Sequence, residues 1–474
     1  MNTATTMRKK ELPPAVCQEA FPFDHEFPQL KIASDPDLML AVFRRHLKPV
    51  AGRNYHIEEC IPRRFRCRQS TSRCVLQYDL HIAEPGTGRR WSQGVTGLVY
   101  AQEGEAERLW RELQADNPRQ EIPEDWLVFE PVNFIPDLQM LVQVFPYDRK
   151  LRNLCLVLGG VLRELDPLLL ARLGPGYWQA EDRNVEPIRY RTELGAALKY
   201  TIRARETLTA RSESLRCYLK VYRNDHGEET FQLLRSASER VAEGEHPYSV
   251  VRPIAYLSEL RTLALEEATG TSLQQDLLQS LCPEAAVRAV ARAVAALNQD
   301  QLGGTRRHSL ADQLDDVKRA SSLVQWACPD KRADVKAITA AVLAGLEEVP
   351  PAPIHRDLKT DHIFLSGDRV IFIDLDSVVL GDPVRDPAHL FAHIAGKVGL
   401  DSMPLKYARL AAAAFVEEYF AHVPAPWRKR FPLHCAGAFV EVAGGIFKRQ
   451  EPHWPEKVSA AIEEAQHALS GRFQ

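Results

Sequence analysis

The chain is short of net charge. Its 60 Lys and Arg are set against 63 Asp and Glu, a balance of −3 over 474 residues. No global field therefore draws it to nucleic acid or to an anionic membrane surface. It also lacks a long apolar run. The most apolar candidate, residues 154–170, is broken by Arg163, Glu164 and Asp166, which excludes a membrane span there. Residues 1–10 are polar and carry no apolar core of a secretory signal. The nine cysteines include no Cys-x-x-Cys pair. Cys60, Cys67 and Cys74 are evenly spaced but too far apart for the usual paired metal ligands, so they read as buried strand residues. These absences together lead to the expectation of a reduced, cytoplasmic setting with no nucleic-acid or membrane partner.

What is present is ordinary globular composition, 45% hydrophobic and 26% charged. The length suffices for two to four domains and a large core. Chemistry concentrates in Ile354-His355-Arg356-Asp357-Leu358-Lys359-Thr360-Asp361-His362-Ile363-Phe364-Leu365 and in Val370-Ile371-Phe372-Ile373-Asp374-Leu375-Asp376. Pro350, Pro351 and Pro353 hold the approach extended, because a residue before proline avoids the helical region. Residues 363–365 and 370–373 read as short buried strands, joined by the turn residues Ser366-Gly367-Asp368. Such a hairpin predicts that Asp357, His362 and Asp374 meet at one end of a sheet. Phosphoryl transfer needs a set of this kind. One carboxylate orients the attacking hydroxyl, a second holds the metal that bridges the nucleotide phosphates, and a further ligand completes the shell.

At these residues the chain resembles the aminoglycoside phosphotransferase and choline kinase branch of the protein-kinase-like fold. His355-Arg356-Asp357 is similar to that family's catalytic loop, which implies that Asp357 is the catalytic carboxylate. Ile373-Asp374 is similar to its metal-binding strand end, which implies that Asp374 is the main magnesium ligand. The run from Gly381-Asp382-Pro383 to Asp386-Pro387-Ala388-His389-Leu390 resembles the segment that usually follows. The family most often has Asn where this chain has His362. Imidazole suits hard magnesium less well than an oxygen donor, so His362 stays open between a metal contact and a structural hydrogen bond. Lys359 is open between the transferred phosphate and a solvated loop. Asp376, Asp382 and Asp386 read as structural, since loops use Asp freely. Asp361 is too generic to assign. His389 and His393 share one helix face but have no further ligand in register, and read as packed or solvated.

Upstream, one pattern occurs twice. Phe65-Arg66-Cys67-Arg68 resembles Ile188-Arg189-Tyr190-Arg191, Val75-Leu76-Gln77-Tyr78 lines up with Ala197-Leu198-Lys199-Tyr200, Val99-Tyr100 with Val221-Tyr222, and Glu130-Pro131-Val132 with Arg252-Pro253-Ile254. The second copy resembles the family's nucleotide-binding small lobe. Cys217-Tyr218-Leu219-Lys220-Val221-Tyr222 reads as the strand whose lysine contacts the phosphates, since a buried ammonium needs an anion. Glu239, on a helix over residues 228–243, is the candidate ion-pair partner of Lys220, with Glu229 as the rival. The hinge resemblance at residues 263–273 implies that the backbone of Glu267 and Ala268 pairs with adenine, and Gly270 permits the turn into the large lobe. The hairpin over residues 189–200, with Gly195 at its turn, is expected to cover the phosphates. In the first copy Leu98 replaces Lys220 and no His-x-Asp follows, so this copy reads as degenerate.

The expected architecture is α+β: a bilobal protein-kinase-like fold with a duplicated, degenerate β-rich small lobe at the N-terminus. Its parts are a tail over residues 1–34, with residues 1–27 loosely structured, the degenerate repeat over 35–152, the nucleotide-binding lobe over 153–270 and a helical large lobe over 271–474. The resemblance implies magnesium-dependent transfer of the γ-phosphate of ATP or GTP to the hydroxyl of a small molecule of aminoglycoside, sugar or amino-alcohol type. A homodimer through the first repeat is one role open to that repeat. Two alternatives stand beside this reading. A pseudokinase would bind nucleotide or a protein partner without turnover. A protein kinase is countered by the absence of Asp-Phe-Gly and Ala-Pro-Glu downstream.

Overall fold

The computed structural model describes residues 21–68, 72–160, 162–243, 246–280, 283–301 and 306–472. It opens with α1 (Leu30–Ala33) and α2 (Pro36–His46). Asp35 caps α2 by accepting from the backbone N–H groups of Asp37 and Leu38, with Pro36 at the first helical position. Three long strands follow, β1 (His56–Arg68), β2 (Arg73–Glu84) and β3 (Arg89–Tyr100), then α3 (Glu105–Ala115), β4 (Val132–Ile135) and β5 (Met140–Val144). They form one sheet in the order β1-β2-β3-β5-β4. Its back face (Leu76, Tyr78, Leu80, Val99, Val142) packs on Met39 and Phe43 of α2. Its front face (Val75, Leu98, Tyr100, Leu141) packs on Ala106 and Leu113 of α3.

The helices α4 (Asn153–Leu158) and α5 (Leu165–Leu170) lead to β6 (Trp178–Arg191), β7 (Gly195–Glu206), β8 (Ser212–Tyr222), α6 (His226–Glu243), β9 (Tyr248–Val250), β10 (Pro253–Leu257) and β11 (Thr262–Glu266). The second sheet has the order β6-β7-β8-β11-β10. This is the first sheet's order, with a helix after the third strand in each copy. The register repeats too. Leu98 lies opposite Val75 and Leu141, and Lys220 opposite Ala197 and Leu263, with every pair of equivalents 122 positions apart. The duplication is therefore a property of the ladders as well as of the residue pattern. The back of the second sheet is covered by Leu154, Leu158, Leu165 and Leu169, so α4 and α5 take the place that α2 has in the first copy.

The turn between β6 and β7 docks on the front of the first sheet. Thr192 Oγ1 meets Thr96 Oγ1 at 2.7 Å and accepts from Gln77 Nε2 at 2.9 Å. Glu193, its side chain 3% exposed, is gripped by Arg73 Nη2 at 2.5 Å and Arg149 Nε at 2.8 Å. Burial pushes the Glu193 carboxyl up, but Arg149, Arg73 and Lys150 overcome it and hold it below its ordinary value. Glu193→Ala would leave Arg73 buried without its carboxylate. The expected cost is about 3 kcal/mol or more, read as a lower denaturant midpoint. An unchanged midpoint would mean that water already satisfies the cluster.

The large lobe starts at β12 (Thr271–Ser272) and α7 (Leu273–Gln279), followed by α8 (Glu284–Gln299), α9 (Leu310–Ala327) and α10 (Arg332–Gly345). Then come β13 (Ala352–Ile354), β14 (Ile363–Ser366), β15 (Arg369–Phe372), β16 (Val379–Gly381) and α11 (Arg385–Ala395). Three helices close the chain: α12 (Leu405–Ala421), α13 (Phe431–Lys448) and α14 (Trp454–Leu469). Among the described residues no helix is long and apolar enough to cross a membrane.

Some expectations change. Residues 1–20 lie outside the described residues, but the loose tail does not extend to residue 27. Phe21 and Phe27 are buried, and Phe21 meets Phe65 at 4.8 Å and Phe447 at 5.1 Å between ring centres. On α2 Leu38 is 49% exposed, while Met39 and Phe43 are buried.

Candidate functional site

The hairpin β14–β15 pairs Ile363 with Phe372 and Ser366 with Arg369. Its open end carries the three residues expected there. One ligand atom each from Asp357, His362 and Asp374 lie within 4.8 Å of one another. Asp374 leaves β15 with φ 63° and ψ 45°, a left-handed conformation that costs a non-glycine residue energy and clusters at functional sites.

His362 is buried. Its Nδ1 lies 3.0 Å from the carbonyl oxygen of Asp357, so Nδ1 carries the donated proton. Burial and the Lys359 ammonium push its pKa down to about 4, so the ring is neutral at pH 7. Its Nε2 lone pair then faces Asp374 Oδ2 at 3.3 Å. Two acceptors in contact call for a cation between them, and a carbonyl-fixed imidazole tautomer is how metal-ligating histidines are oriented. Two carboxylates supply the oxygen donors that suit magnesium. The donor set therefore fits a divalent cation.

Asp357 rests on the backbone of its own loop. Asp386 accepts from the backbone N–H of His355 at 2.6 Å and of Arg356 at 2.9 Å, and also from Asn298 Nδ2 at 3.1 Å. Arg356 adopts φ 69°, and its guanidinium reaches Asp316 at 3.2 Å. Lys359 Nζ lies 3.2 Å from Asp357 Oδ2. Although burial pushes the Asp357 carboxyl up, Lys359, His362 and His389 hold it down at about 2. His389 itself donates Nδ1–H to the Leu358 carbonyl at 2.8 Å, which accords with a packed role. Asp382 is held by Arg430 at 2.9 Å and His434 at 2.9 Å.

Across the cleft, Lys220 projects from β8. Its ammonium sits 2.5 Å from Asp374 Oδ1 and 3.0 Å from Asp376 Oδ1. Burial pulls the ammonium down, but Asp376 and Asp374 outweigh it and raise its pKa. The expected partner Glu239 is exposed on α6 and does not pair with Lys220. Glu229 is also exposed and pairs with His226 and Arg306. The first turn of α6 reaches the site through His226, whose Nε2–H donates to the Asp376 carbonyl at 3.1 Å, and Tyr222 donates to Asp376 Oδ1 at 3.0 Å. Asp376 thus stands in the Lys220 pocket, where the sequence suggested only a loop carboxylate. Asn298, Asp316, Tyr222 and His226 carried no sequence signal, because their roles come from contacts far along the chain.

At the hinge, Glu267 and Ala268 follow β11 and are partly buried, and Glu267 Oε1 meets Arg216 at 3.5 Å. Gly270 has φ 91°, and a Cβ there would stand 1.9 Å from the Leu365 carbonyl oxygen. Gly270→Ala is therefore expected to lower the melting temperature by several degrees, through positive-φ strain and a backbone collision on β14. Equal melting of the two proteins would mean that the hinge can relax. The turn expected over the phosphates is the one that Glu193 anchors to the first repeat.

One family model matches, over residues 203–422. It is the phosphotransferase enzyme family. The matched segment contains Lys220, the hinge, Asp357 and Asp374. No curated protein matches the chain. Similar solved structures include an ADP-bound aminoglycoside phosphotransferase, at 14% identity and TM-score 0.38, covering 65% of this chain and 99% of that one. A choline kinase from Cryptosporidium parvum has 9% identity and TM-score 0.40, with 61% and 89% covered. A Plasmodium vivax ethanolamine kinase has 10% identity and TM-score 0.38, with 61% and 84% covered. The phosphotransferase match and the bilobal α+β fold agree with the resemblance carried by His355-Arg356-Asp357 and Ile373-Asp374.

Proposed function

We propose that this protein transfers the γ-phosphate of ATP or GTP to the hydroxyl of a small molecule, with magnesium as the required ion. The observation that carries the reading is the convergence of Asp357, His362 and Asp374, from one loop and the hairpin after it, on Lys220 from the opposite lobe. Asp357 accepts a hydrogen bond from the acceptor hydroxyl and fixes its line of attack. Lys220 exchanges its contact with Asp374 and Asp376 for the nucleotide phosphates. Asp374 and His362 hold the ion, His362 in the tautomer that the Asp357 carbonyl selects. Glu267 and Ala268 offer backbone groups to the base. When bound, magnesium neutralises charge on the phosphate oxygens. Positioning and charge placement supply most of the rate in such a site.

The ammonium of Lys359 beside Asp357 lies where it can meet the transferred group. A thermal shift with ATP or GTP, with and without magnesium, followed by a turnover assay across hydroxyl metabolites, tests the reading. A magnesium-dependent shift with turnover supports it. A shift without turnover on any acceptor favours a nucleotide-binding pseudokinase.

A further inference from the structure

The front face of the second sheet bears more cationic charge than Lys220. Arg189 lies opposite Ala197, and Ala197 opposite Lys220, so the three stand in one row. Residues directly opposite in an antiparallel ladder point to the same face. Arg191, Gly195 and Tyr222 form the next such row, and Tyr222 already touches Asp376. Arg189 and Arg191 are exposed on the face that looks across at Asp357 and Asp374.

The first strand adds charge to the same place. Arg66 donates to the Thr192 carbonyl at 3.2 Å, which sets β1 beside the residue after Arg191. Arg64 lies opposite Gln77, and Gln77 bonds Thr192, so Arg64 shares that front face. Phe65, between the two arginines, turns to the back of the first sheet and packs on Phe447 at 5.6 Å, just before Lys448 and Arg449. Some of this charge is compensated: Arg449 by Glu451 at 2.8 Å, and Arg66 by Glu193 at 3.9 Å. Arg64 makes no hydrogen bond or ion pair among the described residues. Burial, then Arg191, Arg189, Arg449 and Arg66, push its pKa down to about 9. An arginine keeps its proton, so a half-buried charge without a partner is left, which an anion would satisfy. The cluster reaches the site through Arg191, which shares a row with Tyr222, and Tyr222 holds Asp376, two residues beyond Asp374.

We propose that the hydroxyl acceptor carries an oxyanion group, a phosphate or a carboxylate, which the Arg64, Arg189 and Arg191 cluster receives. This rests on the phosphotransferase reading of Asp357 and narrows its acceptor class. An amine or quaternary ammonium would have to enter against these arginines and Lys359. An anionic acceptor would repel the nucleotide phosphates, and the same arginines offset that repulsion. In the transfer, the bond between the γ-phosphorus and its bridging oxygen breaks and a bond to the acceptor oxygen forms. The hydroxyl proton leaves by way of Asp357 to solvent. The products are a nucleoside diphosphate and an acceptor with one more phosphate.

The test is a thermal-shift titration of the full chain with inorganic phosphate, glycerol phosphate, a hexose monophosphate and ethanolamine. It is run with and without saturating magnesium nucleotide, and repeated with Arg64→Gln. The three anions are expected to raise the melting temperature further after nucleotide has saturated, and ethanolamine is not. Arg64→Gln is expected to weaken the anion effect about tenfold or more, the scale of a charge-assisted contact. It should keep the nucleotide shift and melt no lower than the parent without ligand, since a half-buried charge without a partner is removed. Three outcomes overturn the proposal: an anion effect that vanishes once nucleotide is bound, one that survives Arg64→Gln undiminished, or a larger effect from ethanolamine. A chain that shows no nucleotide shift counts against the phosphotransferase reading instead. The anion arms without nucleotide, with and without Arg64→Gln, still decide the cluster's role.

Discussion

Asp357→Asn is expected to lower turnover by about two orders of magnitude or more, the scale of losing a positioned acid–base group, while nucleotide affinity stays within a few-fold. The substitution is nearly isosteric. It leaves the His362 contact intact, because that contact goes to the residue 357 carbonyl oxygen. Its effect therefore falls on the acceptor hydroxyl. With the carboxyl held at about 2 by Lys359, His362 and His389 against burial, Asp357 is ionised throughout the physiological range. Such a carboxylate is a weak proton acceptor, so its main work is to orient the hydroxyl in a loose transition state, where little proton transfer is needed early. The sign follows for pH. A depressed carboxyl keeps its charge above its folded pKa and loses it as pH falls towards 2. Any acid limb of the rate profile between pH 5 and 7 must then belong to another group. Steady-state kinetics and a nucleotide titration on one preparation check both halves. Turnover within a few-fold of the parent would remove Asp357 from the mechanism.

The site was legible because its residues are close in sequence. His355 to Asp374 lie on one loop and one hairpin, so turn chemistry and strand alternation alone bring them together. The repeat was legible for a related reason: two copies of one ladder share register, and register fixes which residues face inward. What sequence reasoning missed is non-local. The partner of Lys220 could not be chosen by helical periodicity among several glutamates. Its carboxylates in the structure, Asp374 and Asp376, arrive from the other lobe. The docking of Glu193 on Arg73 and Arg149 joins positions over a hundred residues apart for Arg73. The helix over Phe431–Lys448 is buried on nearly every side and contains Gly437, Gly444 and Gly445, so residue pattern alone does not mark its bounds. It has no polar face to set a period.

Asp374→Ala is expected to remove the magnesium-linked gain in nucleotide affinity, a loss of about tenfold or more, and with it turnover. The residue sits at the centre of the constellation, touching Lys220 at 2.5 Å and His362 at 3.3 Å. Removing a carboxylate from a buried ion pair usually destabilises the fold, because the remaining charge is stranded. Here the ammonium of Lys220 keeps Asp376 at 3.0 Å, and Tyr222 and His226 hold Asp376 in place. The fold is therefore expected to survive, and the loss will show in binding. Relief of the left-handed conformation at residue 374 does not help the variant, since alanine is no better suited to it than aspartate. Calorimetric titration of ATP, with and without magnesium, separates the outcomes. If affinity without magnesium is unchanged and the magnesium-dependent part disappears, Asp374 is the ligand. If the magnesium-dependent part remains, the ion is held by Asp376, and Asp374 serves to anchor Lys220.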